Sequence, residues 1–185
     1  MAVSIHLEFT PNPDTLKYAV SQVLMERGAA DFTEPSQAEH SPLAQRLFAV
    51  DGVRAVMIGR DFVTVTVTDQ TLMMEVNTAM LREIKAHLET GEAVLTGDLP
   101  TNEHGGDGSE VARKVIAILD EQIRPAVAMD GGDILFDRFE EGVVYLQLKG
   151  SCSGCPSSMA TLKQGVEIRL RQLVPEVREV QAVAI

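Results

Sequence analysis

Cysteine is scarce: the 185 residues hold only Cys152 and Cys155, three positions apart. Two cysteines exclude a disulfide framework of the kind that staples small secreted domains. Basic runs are missing too. Lys and Arg number 16 against 27 Asp and Glu, and the formal net charge is −11. Gripping a phosphate backbone takes clustered Lys and Arg, so nucleic acid is not an expected partner. The acidity reads as a solubility feature. No run of about 18 apolar residues occurs, which argues against a membrane span. The opening MAVSIHLEF has neither the basic stretch nor the long apolar segment of a secretory signal, and it is not Arg-rich like a mitochondrial presequence. A cytoplasmic protein is the expectation. In that setting a close cysteine pair points to metal or redox chemistry.

What is present begins with an ordinary apolar content of 45%, enough for a core. The stretch TGDLPTNEHGGDGS, residues 96–109, has four Gly, one Pro and almost no apolar residue. Such a composition cannot bury enough surface to order itself. It reads as a flexible linker between a domain of residues 1–95 and a domain of residues 110–185. Charge divides as −6, −3 and −2 over 1–95, 96–109 and 110–185, so the acidity lies mainly outside the cysteine domain.

The first domain reads as a strand over 3–9, a proline turn Thr10-Pro11-Asn12-Pro13-Asp14, and short extended pieces near 16–20 and 28–32. Ser41-Pro42 suits an N-cap and first helical position, opening a short helix to Ala49. Val63, Val65 and Val67 alternate with Thr64, Thr66 and Thr68, so 62–68 should pair with 53–58 as a hairpin. Met73, Val76, Met80, Ile84 and Leu88 recur at helical spacing before Gly91.

The second domain reads as α-β-β-α-β. A helix starts near Glu110, with Pro125 kinking or closing it, and Asp130-Gly131-Gly132-Asp133 makes a turn. Strands 134–139 and 143–149 form a hairpin, and a helix over 156–172 carries Met159, Leu162, Val166, Leu170 and Leu173 as its core stripe. A strand over 177–183 closes the domain. Hairpins mixed with helices give an α+β class, two small domains in all.

Chemistry concentrates in Gly150-Ser151-Cys152-Ser153-Gly154-Cys155-Pro156, the loop between strand and helix. Two cysteines separated by two residues can aim both sulfurs at one metal. The glycines permit the tight turn, and Pro156 suits the first helical position. Unpaired N–H groups at the helix start, aided by Lys149, should favour thiolate over thiol. Structural zinc and the common iron–sulfur clusters take four protein ligands. One chain offers two cysteines, so a symmetric pair of chains would close the set. The small Ser151, Ser153, Ser157 and Ser158 would let two such loops approach. Spacing alone leaves four readings open: a cluster between two chains, a zinc site between two chains, a redox dithiol of thioredoxin type, and a pair of buried or idle thiols.

The stretch Ile123-Arg124-Pro125 through Met129-Asp130-Gly131-Gly132-Asp133-Ile134, together with Gly150 to Ser158, closely resembles the C-terminal domain of NifU. The first half is similar to the N-terminal domain of Nfu-type scaffold proteins through Thr10-Pro11-Asn12-Pro13-Asp14, Ser41-Pro42-Leu43-Ala44, Leu47-Phe48, Gly52-Val53 and Asp61-Phe62-Val63-Thr64-Val65. One departure is the tryptophan that the family often carries near the start of the last N-terminal helix; Thr71-Leu72-Met73-Met74 stand there. The resemblance implies a scaffold or carrier rather than an enzyme. It would receive a [4Fe-4S] cluster, held between two chains by Cys152 and Cys155 of each, and pass it to apo iron–sulfur proteins. Upstream assembly proteins and a cluster-loaded homodimer come with it as expected partners.

Two weaker signals read as structural. Asp130-Gly131-Gly132-Asp133 lacks the ligand count of a calcium loop and reads as a helix end with a left-handed glycine. His6, His40, His87 and His104 show no ligand spacing.

Overall fold

The computed structural model describes residues 3–26, 28–96, 104–105, 108–153 and 156–183, the side chains of 156–159 and 161 excepted. The fold is α+β and divides into two compact units, Met1–Asn102 and Glu103–Ile185.

In the first unit, β1 (Ile5–Phe9), β2 (Thr15–Val20), β3 (Ala30–Phe32), β4 (Val53–Ile58) and β5 (Phe62–Val67) form one antiparallel sheet in the order β1-β2-β5-β4-β3. The alternating strand is the central one. Its threonines are buried as well as its valines, because β5 has neighbours on both edges and Thr66 finds Thr15 across the sheet at 3.0 Å. α1 (Pro42–Phe48) is capped by Ser41, whose Oγ accepts the Ala44 N–H. α2 (Met73–Thr90) buries Val76, Met80, Ile84 and Leu88 at the expected spacing and ends at Gly91, φ 72°. Leu72 and Met73 pack against this core where the family's tryptophan is absent, while Met74 turns to solvent. Two short 3-10 turns, Pro35–His40 and Gln70–Leu72, carry no strong periodic signal and were not expected.

The second unit follows the order α-β-β-α-β with one elaboration. α3 (Glu110–Ile118) runs into a π-helical turn over Leu119–Ile123, and α4 (Arg124–Met129) resumes with Pro125 in its first turn. Proline lacks an N–H and crowds the preceding turn. The helix therefore widens ahead of Pro125 instead of stopping there. β6 (Gly132–Glu140) and β7 (Val143–Gly150) pair antiparallel. β8 (Glu179–Val183) pairs parallel to β7 after the crossover helix α5 (Pro156–Leu173). On α5, Val166 and Leu170 are buried and Leu162 partly so, whereas Leu173, expected in the stripe, is 43% exposed.

Of the segment read as a linker, residues 97–103 and 106–107 lie outside the described residues, and His104 and Gly105 meet β6. Gly105 donates its N–H to the Phe136 carbonyl at 2.6 Å, and His104 Nδ1 accepts the Phe136 N–H at 2.8 Å. With Nδ1 accepting, Nε2 carries the proton and meets Asp120 Oδ1 at 2.9 Å. His104 and Gly105 thus cover the middle of β6, where the β6–β7 register shifts between Phe136 and Arg138. A fragment of residues 103–185 should be more stable than one of residues 110–185, which lacks these three contacts. The difference should be on the order of 3 kcal/mol, at roughly 1 kcal/mol per hydrogen bond, as read by urea melts of the two fragments.

His87 on α2 is fully buried. Burial lowers its pKa below the ordinary value; the Glu92 carboxylate opposes this and Arg46 reinforces it. In the unfolded chain His87 takes up a proton near pH 6.5, and in the fold it does so only at lower pH. Its contribution is therefore intact above that pH and is lost as pH falls through the window beneath it. Thermal melts should show the first unit weakening below about pH 6.5, and His87→Leu should flatten that dependence.

Candidate metal centre

The cysteine loop is built on a glycine floor. Gly131 sits at the end of α4 with φ 78°, a left-handed conformation that a side chain would strain. It turns the chain into β6, where Gly132 pairs with Gly150 at the end of β7. The loop is tied down to this turn. The Ser151 N–H donates to the Gly131 carbonyl at 3.1 Å, and Ser151 Oγ donates to the Asp130 carbonyl. Ser153 folds the loop onto itself, its N–H and Oγ both meeting the Gly150 carbonyl, at 3.0 and 2.8 Å.

Cys152 Sγ lies directly over Gly132; a Cβ at position 132 would overlap the sulfur. The side chain belongs to the apolar core of the unit and is 7% exposed. Burial pushes its thiol pKa up to about 11, a hydrogen bond with Ser151 working against the rise and the charges of Asp130 and Asp133 adding to it. This corrects the expectation of a ready thiolate. Burial thus opposes the thiolate that the helix start and Lys149 were expected to favour at Cys152. Cys155, the other expected ligand, and Gly154 lie outside the described residues. Among the described residues no three His, Cys, Asp or Glu side chains gather as a metal site.

Beneath the floor lies a feature that sequence reading passed over. Asp133 is 4% exposed, and Arg124 grips it with a two-pronged fork, Nε to Oδ1 at 2.8 Å and Nη2 to Oδ2 at 2.9 Å. Asp133 Oδ1 also accepts the Ile134 N–H at 2.9 Å. The third prong, Nη1, meets Asp120 Oδ1 at 2.9 Å, the same oxygen that faces His104. Burial disfavours the charge on Arg124, but the hydrogen bonds and charges of Asp133 and Asp120 outweigh it and raise the guanidinium pKa. The sequence signal was present, an Arg-Pro pair nine positions before an aspartate. Arg124 opens α4 and Asp133 stands at the start of β6, so the short connection between the two elements brings them together. Lys149 stands opposite Asp133 in the β6–β7 register.

Comparison with known proteins covers both units. Residues 5–91 match the family model "Scaffold protein Nfu/NifU N terminal", and residues 115–181 match "NifU-like domain". The human protein named "NFU1 iron-sulfur cluster scaffold homolog, mitochondrial" is 38% identical over 181 residues, 97% of this chain and 71% of its own length. Its namesake in Drosophila persimilis is 40% identical over 182 residues, 97% of this chain and 64% of its own; the chain thus spans less than two thirds of the fly protein. The solution structure of a NifU-like protein from Saccharomyces cerevisiae aligns over 52% of this chain and 87% of its own, with a TM-score of 0.47 and 24% identity.

The glycine floor makes a prediction. In Gly132→Ala the new methyl must displace Cys152 from its niche, at a cost of about 1–3 kcal/mol for an overpacked site. In the metal-free protein, maleimide labelling of Cys152 should accelerate, with labelled peptide read by mass spectrometry. Unchanged labelling would mean the sulfur does not rest on Gly132.

Proposed function

The chain belongs to the Nfu family of iron–sulfur cluster scaffold proteins, and we propose that it is a carrier which takes up a [4Fe-4S] cluster between two copies of itself and hands it to apo iron–sulfur proteins. The observation that carries this reading is Cys152, a free thiol on a glycine floor at the start of a strand–loop–helix turn whose second cysteine is three residues on. A cluster needs four protein thiolates of the kind one chain supplies twice. Cys152 and Cys155 of each of two chains complete the set, and the resulting homodimer is symmetric.

The buried thiol suits a cargo that must be released. Loading exchanges the Cys152 proton for iron, so uptake is coupled to proton release. On unloading, the sulfur takes its proton back and returns to the apolar niche over Gly132. The return stabilises the empty state and offsets part of the metal–sulfur bond energy, which keeps the cargo transferable. A dithiol oxidoreductase needs the opposite, an exposed attacking cysteine with thiolate character. The protonated, buried Cys152 therefore favours carrier over catalyst. We place the protein in a thiol-reducing compartment. The cytoplasm is the reading from the sequence, and the relatives bear mitochondrial names. No described helix is long and apolar enough to cross a membrane.

Anaerobic reconstitution tests the proposal. The wild-type chain should turn brown, hold iron and sulfide in equal amounts, and run as a dimer that chelation returns to monomer. Cys152→Ser and Cys155→Ser should each drop bound iron to background while circular dichroism stays unchanged. Colourless wild-type protein holding zinc would instead support a zinc-bridged dimer. Insulin reduction without acceptor activation would support the oxidoreductase.

A further inference from the structure

We propose that Arg124 is the positioning residue that makes the Cys152 site tolerant of an anionic ligand set, by neutralising the buried Asp133 beneath it. The inference rests on the reading of Cys152 as a metal ligand, and it concerns a residue that does not touch the metal.

Thiolate-bound metals carry net negative charge, whether the metal is a cluster or a single divalent ion. The Cys152 sulfur sits on Gly132, and the next residue is the carboxylate of Asp133. At 4% exposure that carboxylate has little water to screen it. Unpaired, it would oppose every added thiolate. Arg124 holds it through both oxygens, the strongest arrangement a carboxylate can have with a single side chain. The fork leaves no rotational slack, so the charge pair and the strand start it belongs to are fixed together. Arg124 is itself held from behind by Asp120, and Asp120 by His104. The cation is thus held on both sides. Lysine could bring the charge to this position but not the fork.

A charge role and a merely structural one separate in a double substitution. Arg124→Gln leaves Asp133 charged and buried; adding Asp133→Asn removes the charge without restoring the fork. Two probes are used on the full chain. One is zinc ion alone, its affinity read by competition with a chromogenic chelator. The other is the reconstituted cluster, read by its retention and its reduction potential. Loss of a partner of this kind typically costs about 10- to 100-fold in metal affinity. Arg124→Gln should fall in that range and should shift the potential negative. Arg124→Gln/Asp133→Asn should recover most of the affinity and move the potential back.

A double variant as poor as the single one would overturn the proposal in favour of packing alone, as would an Arg124→Gln chain with wild-type zinc affinity and potential. If Arg124→Gln does not fold, Asp133→Asn decides alone. It should bind zinc at least as well as wild type, and weaker binding would overturn the charge role. The two readings fail separately. The expected order of zinc affinities in a chain that holds no cluster would keep Arg124 and sink the cluster; full cluster retention in every variant would do the reverse.

Discussion

The close approach of a sulfur to a glycine backbone is the constraint on which the second unit depends. Cys152 can lie in the core only because Gly132 has no side chain, and Gly132 can pair with Gly150 only because Gly131 turns the chain through a left-handed conformation. The hydrogen bonds of Ser151 to the backbone of 130 and 131 then hold the loop to that turn. Strand pairing, loop position and thiol protonation are one arrangement. No side chain at position 132 could be accommodated without shifting the rest.

Much of the fold was legible where hydrophobic period and turn chemistry agree. The stripe Val76, Met80, Ile84, Leu88 and the Ser41-Pro42 helix start came out as read, because helix faces and caps are local properties. The hairpin of 53–58 with 62–67 was legible for the same reason. What period cannot encode is how many neighbours a strand has. Thr64 and Thr66 are buried along with the valines they alternate with, since the sheet order puts β5 in the middle. Leu173 looked like core and is half out, at the last residue of α5.

At the candidate site, motif spacing singled out Cys152 but misjudged its ionisation. A helix start and a nearby lysine are visible in sequence; burial is not, and burial decides. Arg124 was visible only as part of a resembling stretch. Its role depends on how closely the end of α4 returns to the start of β6, a tertiary placement that no local pattern specifies. His104 and Gly105 sit in a run whose composition argues against order, yet they find a strand edge with an unfilled hydrogen-bonding position at Phe136. Composition measures what a segment can bury by itself, not what an exposed strand edge can recruit.

The parallel pairing of β7 with β8 has a consequence for the order of events during synthesis. The cysteine loop lies on the crossover between them, so β7 leaves the ribosome with one edge open and closes it only after α5 and β8 have followed. Antiparallel β6 can join β7 at once through their short turn. The growing chain therefore passes through an interval in which both cysteines have been made while the sheet beneath them is two strands wide. A two-stranded hairpin is marginal in water. The niche that shields Cys152 is thus among the last parts of the unit to form, and until it forms the thiol lies open on the nascent chain.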